Sequence, residues 1–282
     1  MDPLGDMLET ARSGYIGWII VFLVLTTFEM LNPRGAQPLR SRINGLAFWT
    51  IAIPLSAVAL TVLASLWQAL GIKPLLTLPL FGWLAWAAPL AGLAGGVLAA
   101  VVNDFFFYWF HRAQHRWLWR YHAVHHSIRE LSAVNSYHHA SEALISLLLY
   151  TLPVSLIVSD VGPALPYISL GLWFHIVWIH SPTRANLGPL RAVFADNRYH
   201  RIHHSLEERH FDRNFGAFTT LWDRLFGTAY FPAPGEWPDV GLARIDEPQG
   251  VREWLDFPAR YAAAERAAAR ADREIEGALE TA

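Results

Sequence analysis

Long uninterrupted apolar runs constrain this chain more than any other feature. Residues 14 to 31, 44 to 68 and 79 to 103 each approach or exceed the roughly 20 mostly apolar residues that a helix needs to cross a hydrocarbon core. Two shorter runs, 142 to 158 and 164 to 179, are separated by Asp160, Gly162 and Pro163, and each holds a proline, Pro153 or Pro166. They predict a tight hairpin or two tilted helices of lesser depth. Only 16% of the residues are charged, against about 25% in a soluble domain. The pattern predicts an all-α, polytopic membrane protein with four to five transmembrane helices.

Charge placement sets an orientation. Arg34, Arg40 and Arg42 lie in one loop, Arg112, Arg116, Arg120 and Arg129 follow the third run, and the chain after 180 is arginine-rich. The other side receives Arg12, the only lysine (Lys73), Asp160 and the acidic N-terminus. Because basic residues near span ends favour the cytoplasmic side, five crossings with the N-terminus outside are expected, in a bacterial-type inner membrane or an endomembrane. Asp2, Asp6 and Glu9 outnumber Arg12 before the first run, so that run reads as a retained span and not as a signal peptide.

The third run continues to Phe110. At 1.5 Å per residue it makes a rod of about 48 Å, longer than the roughly 30 Å hydrocarbon core. The helix should therefore project into the cytoplasm, with His111 and His115 one turn apart on one face, a geometry for two ligands of one metal. Beyond it lie His122, His125 and His126 in an H-x-x-H-H pattern, which returns as His200, His203 and His204. The chain has no cysteine. That excludes disulfides, thiolate zinc sites, iron–sulfur clusters and cysteine nucleophiles, leaving imidazole, carboxylate or amide to hold a metal. Asp104, deep in the third run, is expected to accept a hydrogen bond from a ligand imidazole or to pair with an arginine.

The ordered run Asp104, Tyr108, Trp109, His111, Arg112, His115, His122, His125, His126, then His200 to Ser205, Asp212 to Gly216, and Leu221 to Thr228 resembles the fatty acid hydroxylase and sterol desaturase superfamily. The resemblance covers about residues 98 to 230. It implies a cytoplasmic helical di-metal domain and adds His139, with Glu142 three residues on, and His180. Ala140 stands where the family usually has proline, which leaves open whether His138 or His139 faces inward; the register of Glu142 favours His139. The implied metal ligands are His111, His115, His122, His125, His126, His139, His180, His200, His203 and His204. Asp104, Glu142, Asp212, Asn214, His138 and His175 are expected to support them. The implied organisation is transmembrane helices over 1–103, a catalytic region over 104–230 that includes a membrane hairpin at about 142–180, and a cytoplasmic loop and helix over 231–282.

The resemblance further implies two iron ions, dioxygen as co-substrate, and hydroxylation or desaturation of a lipid C–H bond. Zinc is the competing metal, because imidazole ligands alone do not select iron. The alternative readings are a zinc-dependent membrane hydrolase and a non-catalytic metal- or lipid-binding membrane protein. The chain carries no dinucleotide fingerprint and no recognisable haem-binding domain, so electrons are expected from a separate reductase, ferredoxin or cytochrome. Arginines over 112 to 129 and 191 to 213 are candidates for its docking surface. Apolar residues between 142 and 180, among them Leu144, Leu148, Tyr150, Trp173 and Phe174, are candidates for a lipid entry path. No nucleic-acid motif is present. From Pro258 onward the alanine, glutamate and arginine pattern predicts an exposed helix.

Overall fold

A computed structural model of the chain describes residues 3–35, 38, 40–73, 75–77, 88–159 and 165–280. Helices α1 (Pro3–Leu31) and α2 (Ser41–Leu70) form a hairpin whose outward side chains, such as Leu23 and Val62, are more than half exposed. That is how an apolar helix looks when lipid, and not protein, covers it. Both are long and apolar enough to cross a membrane, while the apolar helical stretch Glu142–Ile157 is shorter. The start of the third run, 79 to 87, and the turn containing Asp160, Gly162 and Pro163 lie outside the described residues.

Helix α3 (Ala88–Trp117) follows. Its 30 residues make a rod of about 45 Å, and His111 and His115 sit in its last two turns, as the length of the apolar run anticipates. A short break at Leu118 leads into α4 (Trp119–His126), which carries the second histidine cluster. Then come α5 (Glu142–Ser146), a π-helical turn (Leu147–Thr151), α6 (Leu152–Ile157), α7 (Leu165–Trp178) and α8 (Asn197–His203), the last with the third cluster. Helix α8 starts cleanly because the carboxylate of Asp196 accepts the N–H groups of Arg198 and Tyr199 at its N-terminus. Helices α9 (Leu221–Leu225), α10 (Val251–Leu255) and α11 (Phe257–Glu280) complete the chain. A two-residue parallel pairing of Leu76–Thr77 with Val158–Ser159, not expected from the sequence, is the one described sheet element.

Two apolar clusters anchor the histidine helices to the membrane hairpin. Ala123 and Val124, on the side of α4 away from its imidazoles, pack with Phe48 of α2, Ile128, Leu131, Tyr137 and Phe257. Val21, Phe22 and Leu25 of α1 pack with Ala133, Val134 and Val177. Phe257 is fully buried, so α11 is not a free appendage: its first turns pack against α4, and only its later turns are exposed as expected. Leu144, Leu148 and Phe174 point outward instead of lining a path. Tyr150 packs on Phe107 and Phe110, and Trp173 on Phe22 and Trp49.

A buried ion pair ties the hairpin to the segment after α4. Arg42 donates to Glu29 at 2.8 Å, and the other oxygen of Glu29, a fully buried residue, accepts the N–H of Ala133 at 2.9 Å. Next to it the absence of a side chain at Gly45 lets α2 approach the backbone: a Cβ there would lie 2.1 Å from the carbonyl oxygen of Val134. Arg42, assigned by sequence to a charged loop, is therefore a structural cation. Removing one partner of a buried pair leaves an uncompensated charge, at a cost of about 3–5 kcal/mol. Arg42→Ala is accordingly expected to lower the melting temperature in detergent strongly. The double substitution Glu29→Gln, Arg42→Met, which removes both charges, should recover a substantial part of that loss.

Candidate metal centre

Nine imidazoles converge into two groups, in each of which one ring nitrogen per residue lies within 4.8 Å of the others. The first group is His111, His115, His122, His126 and His203; the second is His125, His180, His200 and His204. Helical periodicity explains the division. His122 and His126, four apart, share a face of α4 and go to the first group, while His125, turned away, goes to the second. On α8 and its end the allocation is reversed: His200 and His204 go to the second group and His203 to the first. Each H-x-x-H-H cluster thus supplies both groups.

Backbone carbonyls fix which nitrogen of a ring carries the proton. A carbonyl can only accept, so a ring nitrogen bonded to one must be N–H, and in a neutral imidazole the other nitrogen is then a lone pair. His111 Nδ1 donates to Phe215 O at 2.9 Å, His125 Nδ1 to Tyr137 O at 3.1 Å, His180 Nδ1 to Ile176 O at 2.9 Å and His203 Nδ1 to Arg213 O at 2.8 Å. His115 Nδ1 donates to the carboxylate of Asp212 at 3.2 Å. In each case Nε2 is left as the lone pair and is turned inward.

The consequence is clearest at His125 and His180. Their Nε2 atoms lie 3.2 Å apart, and with both Nδ1 protons committed to carbonyls neither neutral ring has a proton to place between them. Burial, reinforced by repulsion among neighbouring rings, holds His122, His125, His126, His200, His203 and His204 well below the ordinary imidazole pKa of 6.5. The rings are therefore neutral near pH 7. Two facing lone pairs at this distance repel unless a cation lies between them. The buried Nε2 of His203 has no hydrogen-bond partner at all, which fits the same account. Neutral imidazole lone pairs at this density form a donor set for one transition-metal ion per group.

The carboxylates hold the loop that supplies two of those carbonyls. Asp104 does not meet an imidazole or an arginine, contrary to expectation: it accepts the N–H groups of Ala217, Phe218 and Thr219 and the hydroxyl of Thr219, all at 2.8–3.0 Å. Asp223 accepts Phe215 N–H, Gly216 N–H and the Thr228 hydroxyl. Between them the two carboxylates clamp residues 215–219 and so aim Phe215 O at His111. Asn214, in the left-handed region at φ 59°, bonds the backbone of Tyr199 and Tyr230 and bends the chain there. Asp212 alone of the expected supporting carboxylates reaches a clustered imidazole. Glu142 instead accepts two hydrogen bonds from Gln114, and His175 packs on Phe218 and Trp178 and is a member of neither group.

His139 is not brought into either group, which corrects the expected register. Its Nε2 donates to Leu255 O at 3.1 Å, and its Nδ1 accepts from the hydroxyl and the N–H of Ser141, so both ring nitrogens are occupied. His138 takes the inward side: its ring stacks on His125 with centroids 4.0 Å apart and planes 10° from parallel. Helix α10 sets this choice, since Trp254 Nε1 donates to His138 O at 2.7 Å while Leu255 binds His139. Trp119, which the sequence reading passed over, lies against His115 and His126 and donates to Tyr261 of α11 at 2.8 Å. Its place between two histidine clusters, in H-R-W-L-W-R-Y-H, is the signal that could have found it.

The sequence model of the family described as Fatty acid hydroxylase matches residues 96–228. Ornithine lipid hydroxylase OlsE of Rhizobium tropici is 32% identical over 149 residues, 52% of this chain and 45% of that protein. Alkylglycerol monooxygenase of Homo sapiens is 29% identical over 141 residues, 49% of this chain and 31% of its own length; that of Danio rerio is 31% identical over 133 residues, 46% and 29%. The matches therefore span less than half the length of these relatives. No solved structure matches the chain.

Two measurements test this geometry. His139→Ala is expected to retain as much bound metal as the unsubstituted protein, whereas His138→Ala, which strips the ring backing His125, should weaken retention about 10–100-fold, read by elemental analysis after dialysis. The depressed pKa values give a second test on metal-free protein. Its unfolded state binds protons more readily than its folded state below pH 6.5, so stability is lost as the pH falls through that value and not as it rises. The melting temperature of the metal-free protein should be flat from pH 8 to 7 and drop steeply toward about pH 5.5.

Proposed function

We propose that the chain, whose residues 96–228 match the sequence model of the fatty acid hydroxylase family, is a membrane-bound lipid hydroxylase with two iron ions, one in each imidazole group. The observation that carries this reading is the pair of facing, proton-free Nε2 atoms of His125 and His180, fixed by backbone carbonyls, within a buried set of neutral donors. The relatives are named as hydroxylases and monooxygenases of lipids, which favours hydroxylation over desaturation. Bound in these groups, a pair of iron ions supplies dioxygen-dependent oxidation of an unactivated C–H bond.

The chain's own residues do the rest. Phe215 O, Tyr137 O, Ile176 O, Arg213 O and Asp212 hold protons on Nδ1 of their imidazoles and keep Nε2 inward. Burial keeps the rings neutral and shuts bulk water out of the second group. The apolar hairpin and α3 place the centre at the polar end of the membrane helices, where a lipid can present a C–H bond without leaving the bilayer. Electrons come from a separate donor, a reductase, ferredoxin or cytochrome. Arg112, Arg129, Arg191 and Arg201 are engaged in internal contacts, so the exposed Arg116 and Arg120 beside α4 are the better candidates for its docking surface.

Detergent-purified protein from iron-replete cells is expected to hold about two metal equivalents, consume oxygen with a reductase system and total lipid, and yield a lipid product 16 mass units heavier, the mass of one oxygen atom. His125→Ala and His203→Ala, one from each group, should each lose at least about one equivalent and the activity. Zinc alone after anaerobic purification, with hydrolysis and no oxygenated product, would overturn the reading.

A further inference from the structure

The two imidazole groups differ in their access to water. A cavity of about 570 Å³ opens beside the first group, and His115, His126 and His203 form part of its wall. The unpartnered Nε2 belongs to His203, a residue only 5% exposed, so a buried donor without a partner borders this space. Around it stand three carboxylates, Glu208, Asp212 and Glu265, against one cation, Arg244, which is itself within 3.8 Å of Glu265 and 3.7 Å of Asp272. The lining is acidic overall. By contrast, His125, His180, His200 and His204 form no part of this cavity's wall and are 1–8% exposed.

On the metal-centre reading given above, we propose that this cavity is the route by which a divalent metal ion enters and leaves the protein. The five-histidine group exchanges its ion with water through the cavity, and the four-histidine group holds its ion behind it. Exposed carboxylates attract a hydrated cation and exchange weakly for its water; imidazoles deeper in the wall then replace the carboxylates. Release from the second group requires parting of packed side chains, a local opening that is rarer than diffusion through an open cavity. Helix α11 is the outer wall: Tyr261 accepts the Trp119 N–H, and Trp119 covers His115 and His126 with ring centroids 4.8 and 4.9 Å away.

The test is metal release from the full chain in detergent, loaded with zinc or, anaerobically, with iron(II), then mixed with excess EDTA and sampled for retained metal by mass spectrometry. About half of the bound metal is expected to leave in a fast phase and the remainder on the order of tenfold more slowly, or slower still. His200→Ala should remove the slow phase and keep the fast one. Tyr261→Phe, which frees Trp119, should quicken the fast phase severalfold, and Ala243→Trp at the cavity wall should slow it without touching the slow phase. Release of all metal in one phase, or loss of the fast phase in His200→Ala, overturns the proposal. The biphasic release is read on the unsubstituted chain, so the outcome does not hang on a variant folding. A protein with no bound metal before EDTA is added would overturn the metal-centre reading itself, and that result is visible at time zero.

Discussion

Nine imidazoles set side by side, eight of them buried, repel one another when protonated, and their lone pairs repel when they are neutral and face each other. Everything around the centre answers that constraint. Burial selects the neutral form, and acceptors placed behind five of the rings draw their protons outward. Those acceptors are mostly main-chain carbonyls, which cannot titrate, so the arrangement persists across a pH range in which side-chain acceptors would change state. The carbonyls must themselves be held. Asp104 and Asp223 do this together, each committing a buried carboxylate to backbone N–H groups of one loop. The resulting chain of contacts runs from a carboxylate to a loop, a carbonyl and an imidazole, so a change at Asp104 acts on His111 without touching it.

The membrane hairpin is part of the same construction. The segment 132–137 lies between α4 and the stacked ring of His138, and it is fastened to α1 by Glu29 and to α2 by the close approach at Gly45. Val134 meets both helices: its carbonyl accepts the Trp49 N–H at 3.2 Å, and its side chain belongs to the cluster with Val21 and Phe22. Tyr137, next along, supplies the carbonyl that orients His125. Anchoring to the apolar hairpin and orientation of the clustered imidazoles therefore share residues, so the place of the imidazoles relative to the hairpin is set by packing.

Much of this was legible in the residue pattern. The apolar runs gave the helical class, the length of the third run gave a helix ending in His111 and His115, and the three clusters supply eight of the nine converging imidazoles, the ninth being His180. What the pattern could not give is anything decided by how elements cross. Spacing says which imidazoles of an H-x-x-H-H cluster share a face, but which imidazoles of α4 meet which of α8 depends on how the two helices come together. Asp104 looked like a partner for a nearby charge because its helix was known and the loop that folds back onto it, more than a hundred residues later, was not. His138 and His139 are adjacent, and only the contacts from α10, again over a hundred residues away, decide which ring turns inward.

That last case bears on where the individuality of this chain resides. The family match ends at residue 228, yet α10 and α11 beyond it fix His138 and His139, support Trp119 through Tyr261 and supply Glu265 to the cavity wall. The imidazoles belong to the matched region, whereas part of the covering of the first group, Gly241 to Arg244, Tyr261 and Glu265, belongs to the segment outside it. A substitution in α11 would leave every clustered imidazole in place and still alter how solvent approaches His115 and His126. The imidazoles and part of what governs access to them are thus encoded in different stretches of the sequence, and that part is carried by packing that no histidine motif describes.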